Sequence, residues 1–267
     1  MDAGERANRA HGIRRTIIEQ SYRAHVGHIG SALSIADLVA AVVFGPARLD
    51  GGTDRDRIVL SKGHAALALY AALDLDGRLE DGQIDTYCAD GTLLGVHPEH
   101  GLAGVDFCTG SLGQGLSLGT GAALAAKRQG SDRRVFVIMS DAELNEGSTW
   151  EAVMFAAQHK LDNLTLLIDL NGQQALGYTR DVIDLGAVED KLAAFGWAAQ
   201  TVPGHDHEPL GAALAPATEG RPQAIVAKTT FGYGVSFMES EIKWHYLPLD
   251  NDAYDVALAE LEAGAPA

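Results

Sequence analysis

The sequence predicts an α/β fold in which helices cover both faces of a parallel sheet. Between residues 135 and 228, short and continuously apolar segments alternate with longer amphipathic segments. Strands that are apolar along their whole length are typical of parallel sheets buried on both faces. The chain has 267 residues, of which 46% are hydrophobic, so it is long enough to enclose one substantial core.

The first half of the chain is mainly helical in pattern. Apolar residues recur there at helical spacing, and Ser34 is suited to cap the second predicted helix. Residues 58–61 form a short apolar segment between helices. The predicted helices of this half cover residues 5–24, 34–44, 65–73 and 112–129, and small residues in the last one permit close packing.

The second half of the chain alternates between strand and helix. The predicted strands cover residues 135–139, 164–169, 197–202 and 224–228. The predicted helices cover residues 148–159, 185–195 and 208–215, and a further helix is expected within the acidic tail 250–267. No internal repeat, low-complexity segment or Pro/Ser-rich linker interrupts the sequence, so we interpret residues 1–267 as a single domain.

The charge balance argues against two classes of partner. Lys and Arg number 20 against 36 Asp and Glu, which gives a net charge of −16. Nonspecific binding of nucleic acid or of an anionic membrane needs clustered positive charge, so neither is expected. The N-terminal residues lack the apolar core of a secretory signal, and a cytoplasmic location is the default expectation. The two cysteines, Cys88 and Cys108, allow one disulfide but form no disulfide-scaffold pattern.

Polar side chains follow two consecutive strands of the predicted sheet. Asp141 comes after the run VFVIM, and Asn171 comes after LTLLID, with a predicted helix joining the two strands. Ligands of open α/β sheets bind outside the carboxyl ends of the strands, where both residues would lie. Each residue alone is more simply a helix cap or a turn residue. Together, with Gly172 beside them, they predict a divalent cation that holds a diphosphate.

The spacing of these residues resembles the thiamine diphosphate motif, which is usually written GDG, a spacer and Asn. Asp141 and Asn171 are separated by 29 residues. Seven segments resemble the N-terminal region of transketolases in the family's order, over residues 13–248. They are VGHIGSALS, LSKGHA, GVHPE, CTGSLGQGLSLGTG, ELNEGSTWEA, DLNGQQALG and KTTFGYGVSFME. Ordered segments are more specific than one glycine pattern, and the resemblance implies the thiamine diphosphate-binding fold.

The resemblance implies a metal and cofactor site. The Asp141 carboxylate, the Asn171 side chain and the Gln173 backbone carbonyl would bind Mg²⁺ or Ca²⁺, and diphosphate oxygens with a water would complete the shell. The backbone N–H of Ala142 would point at a phosphate. Further cofactor contacts would come from the TGSLGQG segment, through Gly110, Ser111 and Leu112, with Leu112 near the aminopyrimidine ring.

Four histidines match positions that act at the family's reacting centre. His64 and His245 would hydrogen-bond the diphosphate side and the reacting centre, and His28 and His97 would contact substrate hydroxyls. Neutral imidazole suits this chemistry because it both donates and accepts hydrogen bonds and transfers protons near neutral pH. Without the resemblance, a lone histidine is more often a structural residue.

Two further clusters are open to a simpler interpretation. His205 and His207 resemble a metal cluster, but no third ligand at zinc-like spacing accompanies them, and Asp206 is better interpreted as a helix N-cap. Glu146 and Glu151 match acidic residues that lie at the family's dimer interface and link its two active sites. A solvated helix face explains their charges equally well.

The resemblance covers only the diphosphate-binding domain of a three-domain enzyme. The pyrimidine-binding and C-terminal domains, with the glutamate that protonates the aminopyrimidine, are expected on a partner chain. The resemblance therefore implies the N-terminal subunit of a split transketolase, inactive alone and assembled as an α2β2 heterotetramer. The complete transferase would move a two-carbon ketol unit from a ketose, or a ketose phosphate, to an aldehyde in carbohydrate metabolism.

The sequence departs from the motif at one position, and three other functions can be weighed against its residues. Ala142 stands where the family usually has glycine, and a positive φ there would add roughly 1 kcal/mol of strain and weaken cofactor binding. Another thiamine diphosphate carboligase in specialised biosynthesis fits the same residues. A non-catalytic regulatory subunit would have no reason to keep them. A nicotinamide-binding domain lacks its GxGxxG pattern.

Overall fold

The computed structural model describes residues 1–216 and 220–266, and Ala267 at the end of the predicted tail lies outside them. The strands are β1 (Arg57–Leu60), β2 (Val135–Ser140), β3 (Leu164–Leu170), β4 (Gln173–Gln174), β5 (Gly177–Tyr178), β6 (Ala198–Pro203) and β7 (Gln223–Lys228). The first five helices are α1 (Ala3–Ala24), α2 (Ile29–Ser34), α3 (Ala36–Val43), α4 (Ala66–Leu75) and α5 (Gly115–Arg128). The others are α6 (Gly147–Gln158), α7 (Thr179–Val182), α8 (Val188–Ala194), α9 (His207–Ala213) and α10 (Asn251–Ala263).

Five strands form one parallel sheet in the order β1-β2-β3-β7-β6. Successive side chains along its central strands belong alternately to two hydrophobic cores. In β2, Phe136 and Ile138 belong to the core that also contains residues of α1–α4, α9 and α10, whereas Val135, Val137 and Met139 belong to the core that contains residues of α5, α6 and α8. Both faces of the sheet are therefore covered, which confirms the predicted fold class. A two-stranded hairpin, β4-β5, stands apart from this sheet.

The predicted boundaries hold to within a few residues in the second half, whereas one N-terminal boundary is wrong. Ser34 does not cap a helix that runs to residue 44. It ends α2, and α3 begins after a break at Ile35. The Ser34 hydroxyl instead donates to Asp169 at the end of β3, 2.7 Å away, so a contact across the fold competes with local capping.

The parallel arrangement places four connecting loops at one edge of the sheet. Adjacent strands β1, β2, β3 and β7 all end there, and the chain continues into Ser61, Asp141, Asn171 and Thr229. Segments that are far apart in sequence therefore meet at the carboxyl edge. Within the described residues, none of the helices is both long and apolar enough to cross a membrane.

Candidate active site

The loops at the carboxyl edge enclose a cavity of about 340 Å³. Its walls come from α2, from the loops after β1, β2, β3 and β7, and from the turn that ends at His245. All four predicted catalytic histidines line it: His28, His64, His97 and His245. Of the predicted cofactor and metal residues, Gly110, Leu112, Ala142, Asn171 and Gln173 also line it. Ser111 lies between two lining residues, but its side chain is exposed.

Asp141 is fully buried, and only one of its carboxylate oxygens has a hydrogen-bond partner. Oδ2 accepts from the Gly172 N–H at 2.8 Å, whereas Oδ1 is buried without a partner. Burial and the neighbouring Asp169 carboxylate raise the pKa of Asp141 to about 7, although nearby N–H groups and Lys62 oppose this rise. A divalent cation at Oδ1 would provide both the missing ligand contact and the missing positive charge. The residues present therefore fit the metal that the resemblance implies.

The Asn171 side chain is held by a buried network around Asp169. Its amide nitrogen donates to Asp169 at 2.8 Å and to Ser34 at 3.2 Å, while its oxygen accepts from the Gln173 N–H at 2.9 Å. Asp169 also forms a buried ion pair with Lys62, at 2.5 Å. The network fixes the amide orientation, as partners behind a metal ligand commonly do.

The set Asp141, Asn171 and Gln173 contains a single acidic side chain. Across the described ranges 1–216 and 220–266, no three His, Cys, Asp or Glu side chains are arranged to hold a metal ion. A cation at Asp141 would therefore depend on neutral oxygens and on ligands from the bound diphosphate. That donor set suits a hard cation such as Mg²⁺, which keeps phosphate and water ligands.

Three histidines from separate segments form one cluster in the cavity. The ring centroids of His28, His64 and His245 lie 5.1 to 5.3 Å from one another. His28 adopts the left-handed conformation, with φ 63°, and its Nδ1 is buried without a partner. A non-glycine residue in this region costs free energy and is often found at functional sites. His64 is hydrogen-bonded through Nε2 to the Ser31 hydroxyl at 3.0 Å.

The imidazoles of this cluster are neutral at pH 7. Burial, Lys62 and the neighbouring histidines hold the pKa of His64 well below its ordinary value. Burial and His97 lower the pKa of His28. Burial, His28 and Lys62 lower the pKa of His245 from 6.5 to about 4. Each ring can therefore offer one donor and one acceptor to a ligand.

This cluster predicts that the chain loses stability in acid. The pKa of His245 is lower in the folded than in the unfolded chain. The stability that neutral His245 contributes to the folded chain is therefore fully present above pH 6.5, and it is lost as the pH falls towards about 4. Between about pH 7.5 and about pH 5, the free energy of unfolding should fall further in the wild type than in His245→Gln. The expected difference is on the order of 1 kcal/mol, reduced by solvent screening. Urea unfolding measures it, and equal losses in the two proteins would contradict the prediction.

Close contacts of two glycine backbones shape the wall of the cavity that contains Gly110 and His97. A Cβ built on Gly110, where φ is +148°, would lie 2.9 Å from the His97 ring. A Cβ on Gly63 would lie 2.7 Å from the Gly110 nitrogen. The loop after β1 therefore touches the loop before α5 through glycine backbones. Only residues without side chains fit at this junction.

Glu143 joins three of the loops around the cavity, and sequence reasoning gave it no role. Oε1 accepts hydrogen bonds from the Ser61 hydroxyl and from the Gly113 N–H, and Oε2 accepts from the Ser140 N–H at 2.8 Å. Burial raises the pKa of Glu143, and these hydrogen bonds oppose the rise. The segment ELNEGSTWEA contained this residue, but its partners Ser61 and Gly113 lie far away in sequence.

Other residues singled out from the sequence lie in varied places. Ala142 has a negative φ within a short 3₁₀ turn, so the strain that a positive φ would add does not arise. Asp206 does cap α9, because its side chain accepts from the Glu208 N–H. Cys88 and Cys108 are free thiols. Glu146 and Glu151 are both exposed.

His205 and His207 converge on the buried carboxylate of Asp37 rather than on the cavity described above. His205 Nδ1 lies 2.6 Å from one oxygen, and His207 Nε2 lies 2.9 Å from the other. Arg14 forms an ion pair with the same carboxylate. Burial alone would raise the pKa of Asp37, but Arg14 and the two histidines hold it below its ordinary value.

Comparison with known proteins gives the family. Residues 6–264 match the family model described as transketolase, thiamine diphosphate binding domain. A 6-deoxy-6-sulfo-D-fructose transketolase subunit of Clostridium sp. is 39% identical over 96% of this chain and 95% of its own length. An apulose-4-phosphate transketolase subunit of Phocaeicola vulgatus is 37% identical over 93% of this chain and 90% of its own length.

The solved structures agree with this assignment. The transketolase of Campylobacter jejuni superposes with a TM-score of 0.88 at 30% identity, over 98% of this chain but 43% of that one. A Pichia stipitis transketolase superposes with a TM-score of 0.90 at 28% identity, over 40% of its length. The chain thus spans nearly all of the subunit-type relatives and less than half of these larger enzymes. The predicted fold and enzyme class are confirmed: the chain belongs to the transketolase family and matches its N-terminal, thiamine diphosphate-binding domain.

Proposed function

We propose that this chain is the N-terminal subunit of a split transketolase that transfers a two-carbon ketol unit from a ketose, or ketose phosphate, to an aldehyde. One observation supports the proposal above all others. A buried carboxylate oxygen without a partner lies on Asp141, between Ser140 and Ala142, and these two neighbours line the same cavity as a cluster of neutral histidines. Such a cavity suits an anionic cofactor held by a cation at one end, with its reacting end near imidazoles.

The proposed cofactor is thiamine diphosphate with Mg²⁺, or with Ca²⁺ in its place. Asp141, Asn171 and the Gln173 carbonyl would hold the metal, and the Ala142 N–H would face a phosphate. When bound, thiamine diphosphate supplies the electron sink for cleavage of a carbon–carbon bond. The protein's own contribution is to orient the cofactor and to exclude water from the cavity.

The four histidines of the cavity would contact the substrate and transfer protons. His28 lines the cavity and its Nδ1 has no partner, so its ring would exchange a hydrogen bond with a substrate hydroxyl. His64 is oriented by Ser31, and His245 stands 5.3 Å from it between ring centroids, so the two can hold or move a proton on one substrate oxygen. His97 is held by the approach of Gly110 and would contact a more distant hydroxyl.

The proposed partner is a chain with the pyrimidine-binding and C-terminal domains of a transketolase. The two subunit-type relatives match this chain over 95% and 90% of their own lengths, which supports a division of the enzyme into separate chains. We propose an α2β2 heterotetramer in the cytoplasm, in which residues 1–267 form the single diphosphate-binding domain. Glu146 and Glu151 would lie at the contact between two copies of this domain.

The two subunit-type relatives are named for different sugars. One is named for 6-deoxy-6-sulfo-D-fructose and the other for apulose 4-phosphate, although both are similar in length to this chain. This variety favours a second candidate, a thiamine diphosphate carboligase of specialised metabolism. A non-catalytic regulatory role is less consistent with the unpartnered oxygen of Asp141, which such a role does not need.

A reconstitution experiment tests the proposal. The chain is mixed with a transketolase C-terminal chain from the same organism, thiamine diphosphate, Mg²⁺, an isotope-labelled ketose phosphate and an aldehyde acceptor. Mass spectrometry should detect transfer of the labelled two-carbon unit only when both chains are present, with at least about a thousandfold loss for either chain alone. Full turnover by this chain alone would overturn the split-enzyme proposal.

A further inference from the structure

A second polar cluster shares no residue with the lining of the cofactor cavity and takes no direct part in the proposed chemistry. Asp37 is only 3% exposed, and it is the shared acceptor for Arg14, His205 and His207. Arg14 comes from α1, Asp37 from α3, His205 from the turn between β6 and α9, and His207 from α9. The carboxylate therefore joins α1, α3, α9 and the turn after β6.

The hydrogen bonds of His205 determine its protonation pattern. Its Nδ1 must donate to Asp37, because a carboxylate only accepts. Its Nε2 must accept from the Thr230 backbone N–H, 2.8 Å away. The Tyr233 ring stacks on the imidazole with centroids 3.6 Å apart and planes 9° from parallel. Both nitrogens and one face of His205 are thus engaged, which leaves its ring a single orientation.

The loop that His205 holds also forms a wall of the cofactor cavity. Phe231 follows Thr230, is 3% exposed and lines the cavity. Its ring lies directly against Gly30, since a Cβ built there would be 2.2 Å from Phe231 Cε1. The same ring is within 15° of parallel to that of His245, at a centroid distance of 6.3 Å. Phe231 therefore packs between α2 and the turn that carries His245.

Two neighbouring anchors fix the start of this loop. The Thr229 hydroxyl donates to Asp169, which also orients Asn171. The next residue, Thr230, is fixed by His205 from the opposite side. Farther along, the Gly232 N–H donates to the Gly30 carbonyl at 3.0 Å. The loop is thus tied both to the metal side of the cavity and to α2, and the Asp37 cluster supplies an anchor from outside the cavity.

We propose that Asp37 and His205 are positioning residues of the cofactor cavity. They hold loop 229–234, so that Phe231 keeps His245 and α2 in their places in the cavity wall. The part of this inference that concerns catalysis rests on the proposed function. The geometry itself does not, because every contact in the chain from Asp37 to His245 lies within this protein. The GHDHE segment therefore acts on the active site from outside the cofactor cavity, through contacts within the fold.

The central test replaces His205 with phenylalanine. His205→Phe keeps an aromatic ring on Tyr233 but removes both hydrogen bonds. In the apo chain, the ring ¹H–¹³C resonances of His245 should shift, because the stacked Phe231 ring is displaced. In the reconstituted two-chain enzyme, kcat should fall by about tenfold or more, since small displacements of positioned groups have large effects on rate. KM for the aldehyde acceptor should change much less.

A matched control separates positioning from loss of stability. His207→Phe removes another hydrogen bond to Asp37 but leaves the hydrogen bond from the Thr230 N–H to His205 in place. It should lower the thermal midpoint comparably, leave the His245 resonances unshifted and change kcat by no more than about twofold. If His205→Phe does not fold, His205→Asn replaces it, because asparagine can still donate to Asp37 but cannot reach the Thr230 N–H.

The outcomes distinguish the two proposals. Unshifted His245 resonances in a folded His205 variant would overturn the positioning role, as would an equal shift in His207→Phe. If the resonances shift only in the His205 variant, the positioning role stands. Absence of two-carbon transfer by the wild-type pair would then count against the proposed function alone.

Discussion

In an Asp141→Asn variant, Mg²⁺ and thiamine diphosphate are expected to lose their stabilising effect on the folded chain. A ligand present at 100 times its Kd should stabilise the wild type by about 2.7 kcal/mol, and the variant by close to zero. The reason lies in the unpartnered Oδ1 atom, which in the wild type presents a buried negative charge to the metal. An amide at this position provides at most a neutral oxygen, which a hard cation binds far less strongly.

The same substitution should not weaken the fold itself. The Asp141 carboxylate is buried without a cation, so removing its charge relieves desolvation in the apo chain at about pH 8. Urea unfolding with and without ligands measures both effects, and Asp90→Asn at an exposed position provides a control for the chemical change. Unchanged stabilisation by Mg²⁺ and the cofactor in Asp141→Asn would show that the metal binds elsewhere.

Gly63→Ala is expected to disrupt the cavity through backbone overlap alone. The added methyl group would lie 2.7 to 2.8 Å from backbone atoms of Thr109 and Gly110, which cannot rotate away as a side chain can. The loops after β1 and before α5 must separate, at a cost of about 1–3 kcal/mol. Because His64 and Gly110 sit on these two loops, affinity for thiamine diphosphate should fall about tenfold or more.

Gly121→Ala is the matched control for this prediction. Gly121 lies in the helix α5, and a Cβ there meets no atom within 4 Å. The added methyl should leave cofactor affinity unchanged and raise stability slightly, because alanine favours helix more than glycine does. Isothermal titration with thiamine diphosphate and Mg²⁺ compares the two variants. Equal affinities would mean that the contact between Gly63 and Gly110 does not shape the cofactor site.

Much of the fold could be predicted because the second half of the chain carries a strong repeating pattern. The apolar runs of β2, β3 and β7 are buried over nearly their whole length, so each appears as a continuous segment between helical ones. The first half has weaker signals. The short helix α2 begins at a left-handed His28, and Ser34 bonds to Asp169 instead of capping a helix. No local sequence pattern predicts either the left-handed His28 or the contact between Ser34 and Asp169.

The site was predictable where a residue stands at the end of a strand. Asp141 and Asn171 directly follow β2 and β3, so the parallel topology alone brings them together. Lys62 and Asp169 were missed because a fully buried ion pair joins positions 107 residues apart. Burying a lysine is unfavourable without its partner, and the partner becomes apparent only in three dimensions.

The role of the GHDHE histidines also depended on the fold. The sequence correctly placed Asp206 at a helix N-terminus, because that signal is local. The link from His205 through Thr230 to Phe231 requires β6 and β7 to be neighbours in the sheet. That neighbour relation follows from the crossover between these strands, and a pattern of residue types does not specify it.

The most direct test of the cofactor site is a crystal structure of the chain, with its partner, in thiamine diphosphate and Mn²⁺ in place of Mg²⁺. The anomalous signal of Mn²⁺ locates the metal without assumptions about its ligands. We expect one peak bonded to Asp141 Oδ1, the Asn171 amide oxygen and the Gln173 carbonyl, with the cofactor extending towards His64 and His245. A metal peak away from Asp141, or a cofactor bound outside this cavity, would contradict the account.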